Sequence, residues 1–182
     1  MNKKIRWITE TAIMLALLVT LQALPKGFGQ LVTGSCVNVV LAISALVGGL
    51  SCGITVAVIS RVMAFLLGIA PQLLPVPAIM AGNTVYVVAL YLLSDRSGKN
   101  VVRQIAAWLL AAVAKFVTLY AIVVGLICGV LSESLLASGA LKAPMLQAMP
   151  ATFSWPQLVT ALIGGALALI IAPLVRKALH RN

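Results

Sequence analysis

Long apolar runs dominate this chain and constrain its fold more than any other feature. Six such runs follow one another, separated by short segments rich in glycine, proline or charge. Continuous apolar runs form transmembrane helices, whereas a transmembrane barrel needs residues that alternate in polarity. The composition is 62% hydrophobic and 9% charged, while soluble domains have about 45–50% apolar and about 25% charged residues. The sequence therefore predicts a single integral membrane domain over residues 1–182.

The predicted fold is an all-α, compact bundle of six transmembrane helices, some of them short. The predicted spans are Arg6–Leu24, Cys36–Leu46, Ile54–Gly68, Pro77–Ser94, Val101–Val130 and Pro156–Leu179. The glycine-rich stretch 25–35 is too polar for a span, so it is predicted to be an outer loop that folds over the helices as a gate. Residues 131–155 are predicted to be another outer loop with a short surface helix. The first apolar run is too long for a signal peptide and lacks a convincing cleavage site, so it is expected to be retained.

The basic residues predict the orientation of the bundle. Of 13 Lys and Arg residues, nine fall in three clusters beside apolar runs, at 3–6, 96–103 and 176–181. Cytoplasmic segments carry such an excess, so we expect a multi-pass protein of the cell membrane with both termini in the cytoplasm. This distribution beside the lipid bilayer argues against a nucleic-acid partner despite the net charge of +10. The scattered cysteines and single histidine lack metal-ligand spacing, so neither a metal nor a cofactor is predicted.

Arg61 and Lys115 are basic residues inside predicted spans. A charge at mid-bilayer costs about 2.5–3.5 kcal/mol and usually faces a cavity or a partner. No acidic residue lies mid-span to pair with them, so they suggest an anion from outside the chain, such as a carboxylate or a phosphate. The alternatives are that each caps carbonyls or snorkels to an interface, and that Lys115 makes a structural contact to a helix end or loop.

Further polar residues cluster in the outer half of the predicted spans. Asn83 and Thr84 follow Gly82 in the fourth span, and Tyr86 lies one turn deeper, below Gln72 of the preceding loop. A buried amide needs hydrogen-bond partners. These positions predict a substrate pocket among the third, fourth and fifth spans that opens to the outside. The candidate substrate-binding residues are Arg61, Gln72, Asn83, Thr84, Tyr86 and Lys115.

The first span carries small residues on one face. Ala12, Ala16 and Thr20 are four residues apart and therefore share a helix face. Small side chains allow another helix to approach closely in lipid. The partner helix belongs either to this chain or to a different protein, and the spacing alone favours packing within the chain, since such motifs are common.

Together these features resemble the substrate-binding S components of energy-coupling factor (ECF) transporters. The resemblance covers essentially the whole chain and points to the group that includes riboflavin, folate, pantothenate and cobalamin S components, without singling out one of them. The elements that carry it are the six short spans with both ends inside, Ala12 and Ala16, the glycine-rich first loop, Pro77 with Gly82-Asn83, and Ala114-Lys115-Phe116.

The resemblance implies a subunit that captures a vitamin or related micronutrient and docks through helix 1 onto a membrane coupling subunit, which carries two cytoplasmic ATPases. The sequence has no G-x-x-x-x-G-K-[ST] motif, so ATP hydrolysis is expected from those separate subunits. The alternative is a self-sufficient secondary transporter or channel for a small anionic solute, but no mid-span acid offers a site for a coupling ion. An enzyme is not expected, because catalytic Ser/His, Cys/His or paired-carboxylate sets are missing.

Overall fold

Helices make up nearly all of the computed structural model, which describes residues 2–69, 72–95 and 100–179, apart from the side chains of Pro25 and Lys26. Within these ranges there are helices and turns but no β-strand. The α-helices are α1 (Lys3–Ala23), α2 (Gln30–Ile43), α3 (Leu50–Leu66), α4 (Val76–Leu93), α5 (Val101–Leu119), α6 (Ser132–Ala137), α7 (Ala143–Thr152) and α8 (Trp155–Ala178). A 3₁₀ segment, Leu24–Phe28, joins α1 to α2, and π-helical segments extend α2 to Gly48 and α5 to Val130.

Five helical segments in the described ranges are long and apolar enough to cross a membrane. They are Lys3–Ala23, Gln30–Gly48, Val76–Leu93, Val101–Val130 and Trp155–Ala178. The third predicted span corresponds to α3, an apolar helix of 17 residues, which at 1.5 Å per residue is about 26 Å long. The all-α membrane fold is therefore confirmed. Five of the six predicted spans are long enough to cross a membrane, and the third is a shorter apolar helix.

Helix α2 begins earlier than predicted. The polar loop was expected to continue to Ser35, but the helix starts at Gln30, directly after Gly29 at φ 84°. The hydroxyl of Thr33 donates to the Gly29 carbonyl at 3.1 Å, and that of Ser35 donates to the Leu31 carbonyl at 2.7 Å. Because these side chains bond within the helix itself, polar residues fit a segment that composition alone assigns to a loop.

The turn between α2 and α3 is also shorter than predicted. Gly49 adopts φ 91°, which glycine tolerates more readily than other residues, and α3 starts at Leu50 rather than Ile54. Arg176 of α8 reaches this turn, where its Nη2 donates to the Leu46 carbonyl at 2.6 Å. The guanidinium thereby satisfies a carbonyl at the end of the α2 segment.

Helix α2 packs closely against α8. At Gly164 of α8, an added Cβ would lie 2.5 Å from the Asn38 Cβ and 2.7 Å from the Ser35 carbonyl oxygen. Helices in lipid associate through such close contacts between small residues. Around this interface lies an apolar core that includes Leu18, Val40, Leu41, Val56, Tyr86 and Leu90.

Helix α1 lies at the edge of the bundle and contacts α2 and α3. Its buried residues are Thr11, Leu18 and Gln22. Ala12, Ala16 and Thr20 are all exposed. No described part of the chain covers this small-residue face, so the expectation that it packs within the chain is wrong.

The chain alternates between two ends of the bundle. One end, here called the terminal end, carries Asn2, the turn at Gly49 and Leu179. The opposite end, here called the cavity end, carries the 3₁₀ segment, residues 67–69 and 72–75, and the connection 131–154. The short surface helix expected in the last connection is a pair of helices, α6 and α7. Parts of the predicted loops and basic tail lie outside the described residues, namely Ala70 and Pro71, residues 96–99, and residues 180–182.

Candidate functional site

A cavity of about 340 Å³ lies at the cavity end of the bundle. Seven of the described helices contribute residues to its wall, namely α1, α2, α3, α4, α5, α7 and α8. The prediction named only the third, fourth and fifth spans. Val37, Ile69, Ile79 and Phe153 supply apolar surface, and the other side chains of the wall carry amide, hydroxyl or cationic groups. Gly29, Gln30 and Gln72 are exposed, so the cavity reaches the surface at this end.

Lys115 of α5 is bound by two asparagines at the base of this cavity. Its Nζ donates to Asn38 Oδ1 at 2.6 Å and to Asn83 Oδ1 at 2.7 Å. The side chains of Lys115, Asn38 and Asn83 are only 3%, 1% and 2% exposed. We call these three residues the Lys115 cluster, and it links α2, α4 and α5 through a charge that no carboxylate neutralises.

Other buried groups support the Lys115 cluster. The Lys115 Nζ lies 5.4 Å from the centroid of the Tyr86 ring, within the range of a cation–π interaction. The Tyr86 hydroxyl donates to the Ala161 carbonyl at 3.3 Å, and Asn38 Nδ2 donates to Thr160 Oγ1 at 3.3 Å. The cluster is thus fixed to α8 as well. Lys115 contacts two side-chain amides, whereas the structural alternative from the sequence named a helix end or loop.

Arg61 of α3 presents the second cation to the same cavity. Its Nε is buried and has no hydrogen-bond partner among the described residues. The acids of the sequence are Glu10, Asp95 and Glu133, and none of them lies in the cavity wall. The cavity therefore carries two cations without a carboxylate, and can favour a bound anion through both charge and N–H donors.

Gln22 of α1 is another polar group in the wall without a partner. It is 6% exposed, and its Oε1 forms no hydrogen bond within the described residues. An unpaired amide in such a position is costly unless something else binds it. Gln22 can therefore add a neutral hydrogen bond to whatever occupies the cavity.

Hydrogen bonds between helices form one side of the cavity mouth. The Thr152 carbonyl at the end of α7 accepts from Gln30 Nε2 at 3.0 Å and from Gln157 Nε2 at 3.2 Å. Gly29, at φ 84°, is next to Gln30 and follows the 3₁₀ segment. The start of α2 is thereby tied to α7 and α8 where the cavity opens.

The candidate residues from the sequence differ in how they relate to the cavity. Arg61, Gln72, Asn83 and Lys115 all line it. Tyr86 does not line the cavity and is fully buried beside the Lys115 ammonium. Thr84 is half-buried and is not part of the wall.

Sequence reasoning missed Gln22, Asn38 and Gln157, which all line the cavity. Asn38 carried the same signal that identified Asn83, an amide within an apolar run. Gln22 lies near the end of the first apolar run, where a polar residue is ordinary. Gln157 follows the loop into the last span, and its position gives no separate indication of a binding role.

Comparison with known families determines the identity of the chain. Residues 6–176 match the family model described as ECF transporter, substrate-specific component. The chain belongs to this family. No curated protein and no solved structure matches it.

Family membership gives this S component its general role. It is the substrate-binding subunit of an ECF transporter, a membrane-embedded transport protein rather than an enzyme. The family implies a small-molecule substrate and an ECF module with which the subunit works. These statements agree with the apolar helices and with a cavity between them that carries polar and cationic side chains.

Proposed function

We propose that this S component binds a compact, anionic vitamin or related micronutrient in the cavity at Arg61 and the Lys115 cluster. The observation that carries the proposal is a cavity at one end of the helix bundle with two cations and no acid in its wall. A buried charge without a partner is unfavourable, and an anionic substrate would supply that partner.

Arg61 is the proposed anchor of the anion. Its unpaired Nε and planar guanidinium suit a carboxylate or phosphate, which accepts two parallel N–H bonds. Asn83 is proposed to add a directional hydrogen bond, with Gln22 and Gln72 as neutral contacts in the wall. Thr84 is not retained as a substrate contact, and Tyr86 is proposed to act through Lys115.

The size of the cavity narrows the choice of substrate. Its volume of about 340 Å³ is near the lower end of the range of about 300–1,000 Å³ for ligand sites. This supports a small carboxylate vitamin such as pantothenate, biotin, lipoate or nicotinate over cobalamin, which is far bulkier.

Residues 24–29 are the proposed gate over the cavity. They form a short 3₁₀ segment that ends at the positive-φ Gly29. The hydrogen bond from Gln30 to the Thr152 carbonyl closes the neighbouring side of the mouth. Substrate entry is proposed to break this bond and move the segment, as in other binding sites that close over a ligand.

Helix α1 is the proposed docking surface for a membrane coupling subunit. Its support is the exposed face of Ala12, Ala16 and Thr20, where a partner helix can approach closely. The basic clusters favour a cytoplasmic terminal end in the cell membrane. Two ATPases bound to the coupling subunit would then lie at the same side and supply the energy for uptake.

The test is binding of the purified chain to four matched pairs: nicotinate and nicotinamide, pantothenate and panthenol, biotin and biotinamide, lipoate and lipoamide. Each pair differs mainly in the carboxylate, so a higher affinity for the acid reports recognition of its charge. We expect the chain to bind at least one acid and to prefer it over its neutral partner. Failure to bind any acid would contradict the proposal, and uptake by the chain alone in proteoliposomes would favour a self-sufficient transporter.

A further inference from the structure

Lys115 fixes the orientation of the Asn83 amide. An ammonium group has three N–H donors and no acceptor, so any amide that contacts it must present its oxygen. The Lys115 Nζ lies 2.7 Å from Asn83 Oδ1 and 2.6 Å from Asn38 Oδ1. Oxygen and nitrogen of an asparagine are otherwise hard to tell apart, but this contact decides between them.

The two asparagines differ in the hydrogen bonding of their amide nitrogens, Nδ2. Asn38 Nδ2 donates to Thr160 Oγ1 at 3.3 Å, so both ends of that amide are engaged within the chain. Asn83 lines the cavity, and no described residue accepts a hydrogen bond from its Nδ2. Because Lys115 directs the Asn83 oxygen toward itself, the N–H donors are the groups that Asn83 can turn toward a substrate.

We propose that Lys115 is a positioning residue that sets the substrate specificity of the cavity through Asn83. It turns an amide that could donate or accept into a fixed donor. Together with Arg61, which also has only donors, Asn83 restricts this part of the cavity to substrates that present oxygen acceptors, such as a carboxylate. A substrate with an N–H or ammonium group at that position is rejected, because two donors would then face each other. The inference rests on the proposed function and adds which groups select the acid.

The test compares Asn83→Asp with Asn38→Asp. Both substitutions are nearly isosteric, and both place a carboxylate against the same ammonium. Only Asn83→Asp replaces the cavity-facing N–H donors by an acceptor, whereas Asn38→Asp leaves the Asn83 donors unchanged. The pair therefore separates the loss of directional donors from the added negative charge.

The readout is the ratio of acid to neutral affinity for the same four vitamin pairs, measured by titration calorimetry in detergent. A general structural defect weakens both members of a pair and leaves the ratio unchanged. We expect Asn83→Asp to lower the ratio at least tenfold more than Asn38→Asp. Both variants retain the bond to Lys115 and should fold, and Asn38→Asp should be the less stable of the two, because it also loses the buried donor to Thr160 Oγ1. Equal ratios in the two variants, with acid binding by the wild type intact, would overturn the inference alone.

Lys115→Met provides a second variant should Asn83→Asp fail to fold. It removes the ammonium, so the Asn83 amide is free to turn and present either group to the substrate. The ratio of acid to neutral affinity should then fall at least tenfold, and an unchanged ratio would overturn the inference. A wild-type protein that binds none of the acids would instead overturn the proposed function, and the inference with it.

Discussion

Arg61→Gln should weaken binding of the preferred acid while leaving the empty protein at least as stable. The substitution removes one charge-assisted hydrogen bond, which is worth about 1.5–3 kcal/mol. At 1.4 kcal/mol per factor of ten, this corresponds to roughly a ten- to hundredfold loss of affinity. The Arg61 Nε is buried without a partner, so losing the charge relieves a desolvation cost in the absence of substrate.

The assay is titration calorimetry of the detergent-purified variant, with a thermal melt of the same sample without substrate. Arg176→Gln is a matched control, since Arg176 binds the Leu46 carbonyl at the terminal end and does not line the cavity. The control should lose stability and keep its affinity for the acid. An unchanged affinity for the acid in a well-folded Arg61→Gln protein would refute the role of Arg61 as an anion anchor. The same holds if Arg61→Gln behaves like the control, with a lower melting temperature and an unchanged affinity.

Three further predictions test the docking face, the helix packing and the orientation. Ala16→Trp should abolish uptake in cells while substrate binding stays intact. Leu17→Trp, at an exposed position on another face of α1, is the control and should support uptake. Equal uptake by both variants would contradict docking through the small-residue face. Gly164→Ala should destabilise the protein in detergent by about 1–3 kcal/mol, because its Cβ would lie 2.5 Å from the Asn38 Cβ. Gly125→Ala is the control and should have little effect, because the nearest atom to a Cβ at Gly125 is 4.0 Å away. In a cysteine-free background, Ala148→Cys should react with a membrane-impermeant maleimide on intact cells; a reaction only after permeabilisation would reverse the proposed orientation.

The sequence predicts the helices of this fold well where their ends carry proline or charge. The start of α4 at Val76 lies one residue before the predicted Pro77, and α5 with its π-helical extension covers the predicted 101–130. Composition fails at the start of α2, where hydroxyls bond to the carbonyls of their own helix. A polar segment that lines a cavity has the same composition as a solvated loop, and the sequence does not distinguish them.

The cavity is harder to predict because its parts are far apart in the chain. Lys115 meets Asn83 and Asn38, which precede it by 32 and 77 residues. A charge within an apolar run indicates that some partner exists, but not whether the partner is a substrate or a side chain. For Lys115 the described partners are two amides, while the Arg61 Nε has none. The same limit applies to α1, whose spacing cannot tell which side of the helix faces the bundle.

Native mass spectrometry of the S component, purified gently from a cell that contains its substrate, tests directly whether the cavity selects an anion. We expect a co-purified small molecule that carries a carboxylate or phosphate and is lost or strongly reduced in Arg61→Gln. Arg176→Gln should retain it. A cationic or neutral molecule bound equally by the wild type and both variants would contradict the claim that this cavity selects an anion.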